Sequence, residues 1–185
     1  MEKNIRISAV VGIDPGASGG VAIWRPGRKV EVSKMPKDIS ELRDYIEYIK
    51  GVASPIVFLE KLSVRPDDVV LEAGRVNMGK LFQIQKMMAN LEQLKAMLVI
   101  EDVPFVLVHP LKWQSALKLR QGKEDKAARK RRYRDVAQKL YPEVSAALWN
   151  SDALLIMHFG RFILKNDVNW VRENLPSGMH DRIFG

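Results

Sequence analysis

Ala9-Val10-Val11-Gly12-Ile13-Asp14-Pro15-Gly16-Ala17-Ser18-Gly19-Gly20-Val21-Ala22-Ile23-Trp24 is the stretch that decides the fold. An apolar run feeds an aspartate into a turn of very small residues, and a second apolar run returns from it. This reads as two strands joined by a short glycine turn. A carboxylate at a buried strand end, beside glycines that admit a bulky anion to the backbone, outlines a metal or phosphate site. The alternative is a hairpin whose Asp14 only caps its own turn.

Working outward, the spacing predicts strands over 7–11, 20–24 and 29–33. A helix over 41–50 follows, capped by Ser40, with Leu42, Tyr45, Ile46 and Ile49 on one face. Ile56-Val57-Phe58-Leu59 reads as a strand buried on both faces and ending in Glu60. Residues 63–76 are polar and irregular. A long helix is expected over 78–101, with the stripe Leu81, Ile84, Met88, Leu91, Leu94 and Leu98. Phe105–Val108 is a further buried strand, stopped by His109-Pro110. A short helix over 112–119, a basic helix ending at Tyr141 and a last helix from Ser151 or Asp152 to Leu164 complete the pattern. Short turns allow the first three strands to pair antiparallel, and strands reached through helices should be parallel. The expected fold class is therefore α/β: a mixed five-stranded sheet, three antiparallel strands and then parallel ones, flanked by helices. Residues 1–164 form one domain in this reading, and 165–185 a C-terminal appendage with one short helical stretch.

The chain has 185 residues, 46% of them hydrophobic and 28% charged, and no cysteine. Disulfide scaffolds, thiolate zinc sites and thiol catalysis are thereby excluded. No apolar run is long enough to span a membrane. The first residues lack the apolar core of a secretory signal, so a cytoplasmic location is expected, with an organellar matrix left open. The net charge of +8 favours a polyanionic partner, nucleic acid before membrane. The charge is clustered: Lys123, Lys126, Arg129, Lys130, Arg131, Arg132 and Arg134 stand against only Glu124 and Asp125.

Three carboxylates fall at element ends. Asp14 follows the first strand, Glu60 ends the fourth and Asp152 opens the last helix. If the first and fourth strands are neighbours, Asp14 and Glu60 converge, and the last helix can bring Asp152 over them. Such a cluster suits hard divalent ions such as Mg²⁺, with Mn²⁺ as a substitute. Taken singly, Glu60 reads equally as a salt-bridge partner of Lys61 or Arg65, and Asp152 as a helix-start residue. On the basic helix, Lys126, Arg129 and Lys130 continue the stripe of Tyr133, Val136, Ala137 and Leu140, which should bring a cation near the carboxylates.

At this point the residues resemble a known family. Gly12-Ile13-Asp14-Pro15-Gly16, Phe58-Leu59-Glu60, Val108-His109-Pro110-Leu111-Lys112-Trp113, and Asp152-Ala153-Leu154-Leu155-Ile156 through Gly160-Arg161 are similar to the RuvC-type Holliday junction resolvases. The phage-borne and organellar branch is the closest in character, and the match spans roughly residues 8–164 in order. The resemblance implies an RNase H-like nuclease domain and a homodimer. It also implies magnesium- or manganese-dependent nicking of two opposed strands of a four-way DNA junction. By position, Asp14, Glu60 and Asp152 would bind metal, and Lys126 or Lys130 would handle the scissile phosphate. The loop over 63–80, with Arg65, Arg75 and Lys80, would enter the junction centre. Phe82 is either a wedge or a core residue, and Lys112 and Trp113 are candidate DNA contacts, with core packing the alternative for Trp113. Arg129 belongs with the DNA-facing cations. Arg131 and Arg132 face away, either as solvated charge or toward a neighbouring duplex arm.

One departure stands out. The family carries another acid or a histidine three or four positions before its last aspartate, where this chain has Trp149 and Leu148. His158 lies about 240° around a helix from Asp152 and reads as a packing residue. A junction-binding protein with weak or lost nuclease activity is therefore the alternative function. An actin-like ATPase or sugar kinase would share the first loop, but no second glycine-rich loop follows a strand here.

Overall fold

The computed structural model describes residues 7–16, 18–51, 54–62, 64, 69–70, 75–122 and 124–184. Five strands form one sheet: β1 (Ala9–Ile13), β2 (Gly20–Trp24), β3 (Glu31–Lys34), β4 (Pro55–Glu60) and β5 (Phe105–Val108). Their order is β3-β2-β1-β4-β5. The β1–β2 and β2–β3 pairs are antiparallel, and β1–β4 and β4–β5 are parallel, as the connection lengths require. The first and third strands start two residues later than the spacing predicts. In the first, Gly12 and Ile13 extend the ladder. Before the third, Gly27 takes a left-handed φ of 69° and prolongs the turn.

Helices α1 (Ile39–Gly51), α2 (Met78–Ile100), α3 (Pro110–Ala116), α4 (Lys126–Leu140) and α5 (Ser151–Asn166) follow the expected order. Ser40 does not cap α1. Asp38 does, its Oδ1 accepting the Ser40 and Glu41 N–H groups at 2.9 and 3.0 Å; aspartate one position before the helix is as strong a cap as serine. The last segment carries two short helices, α6 (Val168–Asn174) and α7 (His180–Phe184), rather than one. Val171, Ile183 and Phe184 on them are buried in the common core.

α5 is the central helix. It lies on β1, β2 and β4, and α3, α4 and α6 pack around it. Ala153 to Met157, Phe159 and Ile163 are all buried, a continuous apolar surface that only a helix covered on most sides can carry. Its approach to the sheet depends on Gly12, where a β-carbon would lie 2.3 Å from both the Ala153 carbonyl oxygen and the Met157 nitrogen. By strand alternation, Val11 and Ile13 face the other side of the sheet, and they are buried too. The paired helices α1 and α2 contribute Leu42, Ile46, Ile49, Leu91, Leu94 and Leu98 to the same core as these residues.

The stripe expected along α2 is buried only in its second half, at Leu91, Leu94 and Leu98. From Met78 to Asn90 no residue is buried, and Phe82 is 63% exposed. The first half of α2 runs beyond the layer it helps to cover.

Candidate active site

Parallel register sets the spacing of the first two carboxylates. Ile13 pairs with Leu59, so Asp14 and Glu60 are the next residues on adjacent strands running the same way. Asp14 is fixed by its own turn: the Gly16 N–H donates to its Oδ1 at 3.0 Å, and the Gly19 N–H donates to the Gly16 carbonyl at 2.8 Å. Side chains are excluded from this turn at Gly19, where a β-carbon would sit 2.1 Å from the Asp14 carbonyl oxygen.

Glu60 is held from the other side. The buried Trp113 donates its Nε1–H to Glu60 Oε1 at 2.9 Å. Trp113 is 0% exposed, so among the two readings of this residue the structure selects the core. It can reach Glu60 because Glu60 pairs with Val108 at the end of β5, and α3 begins two residues later.

Asp152 opens α5 over the same edge and is 7% exposed. The Lys130 ammonium, from α4, forms an ion pair with Asp152 Oδ2. The charges are mutually felt. Burial raises the Asp14 carboxyl above its ordinary value, and Asp152 adds to the rise. Burial, followed by the Asp14 charge, pushes Glu60 up to about 8. Burial opposes the Lys130 charge, but Asp152, Asp14 and Glu60 outweigh it and hold that ammonium above the usual lysine value.

The donor set is oxygen only, three carboxylates at one sheet edge, which is the chemistry that Mg²⁺ or Mn²⁺ accepts. Among the described residues, no three His, Cys, Asp or Glu side chains sit close enough to hold a metal ion as they stand. Lys130 neutralises part of the negative charge gathered there. These residues fit a divalent ion in donor type, and they stand around one end of the sheet.

A consequence for stability follows. Glu60 titrates near 4.5 in an unfolded chain and near 8 when folded. Between those values the folded chain keeps a proton that the unfolded chain has released, so this group's contribution is full below pH 4.5 and is lost as pH rises toward 8. In EDTA, Glu60→Gln should therefore melt above wild type at pH 8, by an amount on the order of a few kcal/mol, and close to wild type near pH 5. Thermal melts at the two pH values measure this.

The positions before Asp152 offer no further ligand. Leu148 is 52% exposed, and the Trp149 ring lies against Gly20. Asn150 accepts the Ala147 N–H at 2.7 Å and donates to the Ser145 carbonyl at 3.1 Å, which braces the turn into α5. His158 is paired with the Tyr141 hydroxyl at 2.9 Å, and burial lowers its pKa; it is a packing residue.

The cations distribute unevenly. Lys126 is exposed and lines a groove with Leu62, Val64, Lys80 and Ile84. Arg75, Lys80, Arg129 and Arg131 are exposed. Lys112 lies over the Trp170 ring at 5.0 Å. Arg132 is turned inward: it donates to Glu124 Oε1 and Oε2 at 3.1 and 2.6 Å and to the Leu119 carbonyl at 2.6 Å. It clamps the loop before α4 rather than standing as solvated charge. Arg65 lies outside the described residues, as does Lys123. Sequence reasoning missed both the Trp113–Glu60 bond and the Arg132 clamp. A tryptophan just after the His109-Pro110 stop was the available signal for the first.

No protein-family model matches the chain, and no curated protein sequence does. Among the described residues, no helix is long and apolar enough to cross a membrane. Among solved structures the chain is similar to Thermus thermophilus RuvC in complex with a Holliday junction substrate. The TM-score is 0.55 at 17% identity, over 86% of this chain and 96% of that one. A second Thermus thermophilus RuvC structure matches at a TM-score of 0.50 and 17% identity, over 85% of this chain and 95% of that one. The likeness is one of fold: the mixed sheet β3-β2-β1-β4-β5 with its helices is RNase H-like, as in RuvC.

Proposed function

We propose that the chain is a structure-selective endodeoxyribonuclease that resolves four-way and other branched DNA by paired, metal-dependent hydrolysis. The observation that carries this reading is the meeting of Asp14, Glu60, Asp152 and Lys130 at one edge of a RuvC-like sheet. Asp14, Glu60 and Asp152 would hold Mg²⁺, or Mn²⁺ in its place, which when bound activates water and neutralises the leaving oxygen of an in-line displacement. Lys130 would give its ammonium to a non-bridging oxygen of the scissile phosphate, where negative charge grows in the transition state. Lys126, exposed on the same helix, would steer the strand toward it. Water oxygen becomes bonded to phosphorus as one P–O ester bond breaks, and the leaving oxygen takes up a proton.

The exposed cations Arg75, Lys80, Lys112, Arg129 and Arg131 would hold duplex arms through phosphates, giving affinity and salt dependence rather than sequence choice. Arg65 has this role by its place in the sequence alone. Two opposed cuts need two sites, so the working form is a homodimer. Along the first half of α2, Met78 is exposed and Leu81, Ile84, Met87 and Met88 are only half-buried, which supports a second copy, and the exposed Phe82 would serve as a wedge near the junction centre. The phage-borne or organellar branch, and a cytoplasmic setting in a bacterium or infected host, complete the reading.

One observation favours a second reading, a junction-binding protein with weak or lost nuclease activity: Leu148 and Trp149 cannot ligate metal. The two readings separate in one assay. An immobile four-way junction and a linear duplex are incubated with the protein in Mg²⁺ and in Mn²⁺, beside Asp152→Asn. Paired symmetric nicks on the junction alone, lost in the variant, are expected. Tight junction binding without cutting in either metal would establish the second reading.

A further inference from the structure

We propose that Trp113 is a positioning residue for Glu60. Its indole holds one carboxylate oxygen so that the other is presented to the divalent ion. This rests on the reading of Glu60 as a metal ligand. A tryptophan side chain has one donor and no acceptor, and a fully buried N–H must find a partner. Here that partner is Glu60 Oε1, at 2.9 Å. No core requirement places it there, because a phenylalanine would fill most of the same volume without a donor.

The donor comes from a rigid frame. α3 begins with Pro110, and His109 Nδ1 accepts the Leu111 N–H at 3.2 Å. The Trp113 ring stands edge-on to Tyr133, with centroids 5.4 Å apart and planes at 66°. Tyr133 is itself buried on α4. Glutamate has three side-chain torsions, and at a strand end it would sample several rotamers. An immobile donor selects one before any ion arrives, which is how outer partners orient the ligands of a metal site. Tyr133 also lies three residues after Lys130, on the helix that pairs with Asp152. One aromatic contact therefore links the Glu60 and Asp152 sides of the site.

The test uses Trp113→Phe, which keeps the ring and deletes the donor. Ile49→Ala, fully buried on α1 near the start of β4 and so at the end of the sheet opposite Glu60, serves as the control that weakens packing and keeps the donor and its frame. Mn²⁺ affinity is measured by calorimetry without DNA, alongside melting in EDTA and junction cleavage at saturating Mn²⁺. Trp113→Phe is expected to bind Mn²⁺ about 10- to 100-fold more weakly, and Ile49→Ala to melt lower with Mn²⁺ affinity near wild type. Equal Mn²⁺ affinity in Trp113→Phe and wild type would overturn the proposal and leave the nuclease reading intact. Absence of Mn²⁺ binding by the wild type would overturn both. Should Trp113→Phe fail to fold, the wild-type indole N–H resonances decide. One is expected to shift when Mg²⁺ is added and again in Glu60→Gln, and no response to either would overturn the proposal.

Discussion

Asp14→Asn is expected to lower junction cleavage by about three orders of magnitude or more, with junction binding retained. The substitution removes charge and little else. Asparagine has a side-chain oxygen in the same place, so the Gly16 N–H keeps its acceptor and the glycine turn keeps its shape. Packing is unchanged, because the two side chains are nearly isosteric. The buried carboxylate beside Asp152 is also a burden on the fold, as its raised pKa records. The variant should therefore melt no lower than wild type in EDTA. Loss of cutting with an unaltered or higher melting temperature and an intact gel-shift would place the effect in the chemistry. Cleavage within tenfold of wild type would remove Asp14 from the site and with it the metal reading.

Gly12→Val is expected to remove most of the native stability. The first added carbon would lie 2.3 Å from the Ala153 carbonyl oxygen and the Met157 nitrogen, and 2.7 Å from the Met157 β-carbon. Two of these are backbone atoms of α5 and cannot rotate away. Either α5 lifts from β1, or β1 leaves its ladders with β2 and β4. Overpacking of a core costs about 1–3 kcal/mol when side chains can adjust. A backbone clash at the most buried helix should reach the diagnostic range of about 4–5 kcal/mol, against a total of about 5–15 kcal/mol for a domain. Circular dichroism melts and limited proteolysis would show a chain that is unfolded or nearly so at 37 °C. A melting temperature within a few degrees of wild type would mean that α5 does not rest on β1 as described.

The strand order and the positions of Asp14 and Glu60 were legible because each depends on local signals: apolar runs of strand length, a glycine turn, and a carboxylate at the end of two of those runs; Asp152 was legible as a residue opening a helix. Parallel pairing of β1 with β4 then follows from connection length. What the sequence hid is tertiary. Asp38 and Ser40 are both competent caps, and only the entry angle of the chain chooses between them. The helical spacing of Leu81, Ile84 and Met88 is the same as that of Leu91, Leu94 and Leu98, yet only the second group is buried. Arg132 looked like its neighbours Arg131 and Arg134 until the loop before α4 brought Glu124 and the Leu119 carbonyl to it. The Trp113 bond to Glu60 joins residues 53 positions apart, and no periodicity carries that information.

The β1–β4 register has a last consequence, for how the chain tolerates changes of length. A single residue inserted in either strand would reverse which side of the sheet its terminal carboxylate faces. Such a change would disarm the site even in a protein that still folds. At the opposite end of the sheet, the turn between β2 and β3 imposes no such demand. Gly27 there has open space around it, and the ladder that follows carries none of the three acids. That turn is the natural seat for an affinity tag or a fluorophore, far enough from the carboxylates to report on the protein without touching its chemistry.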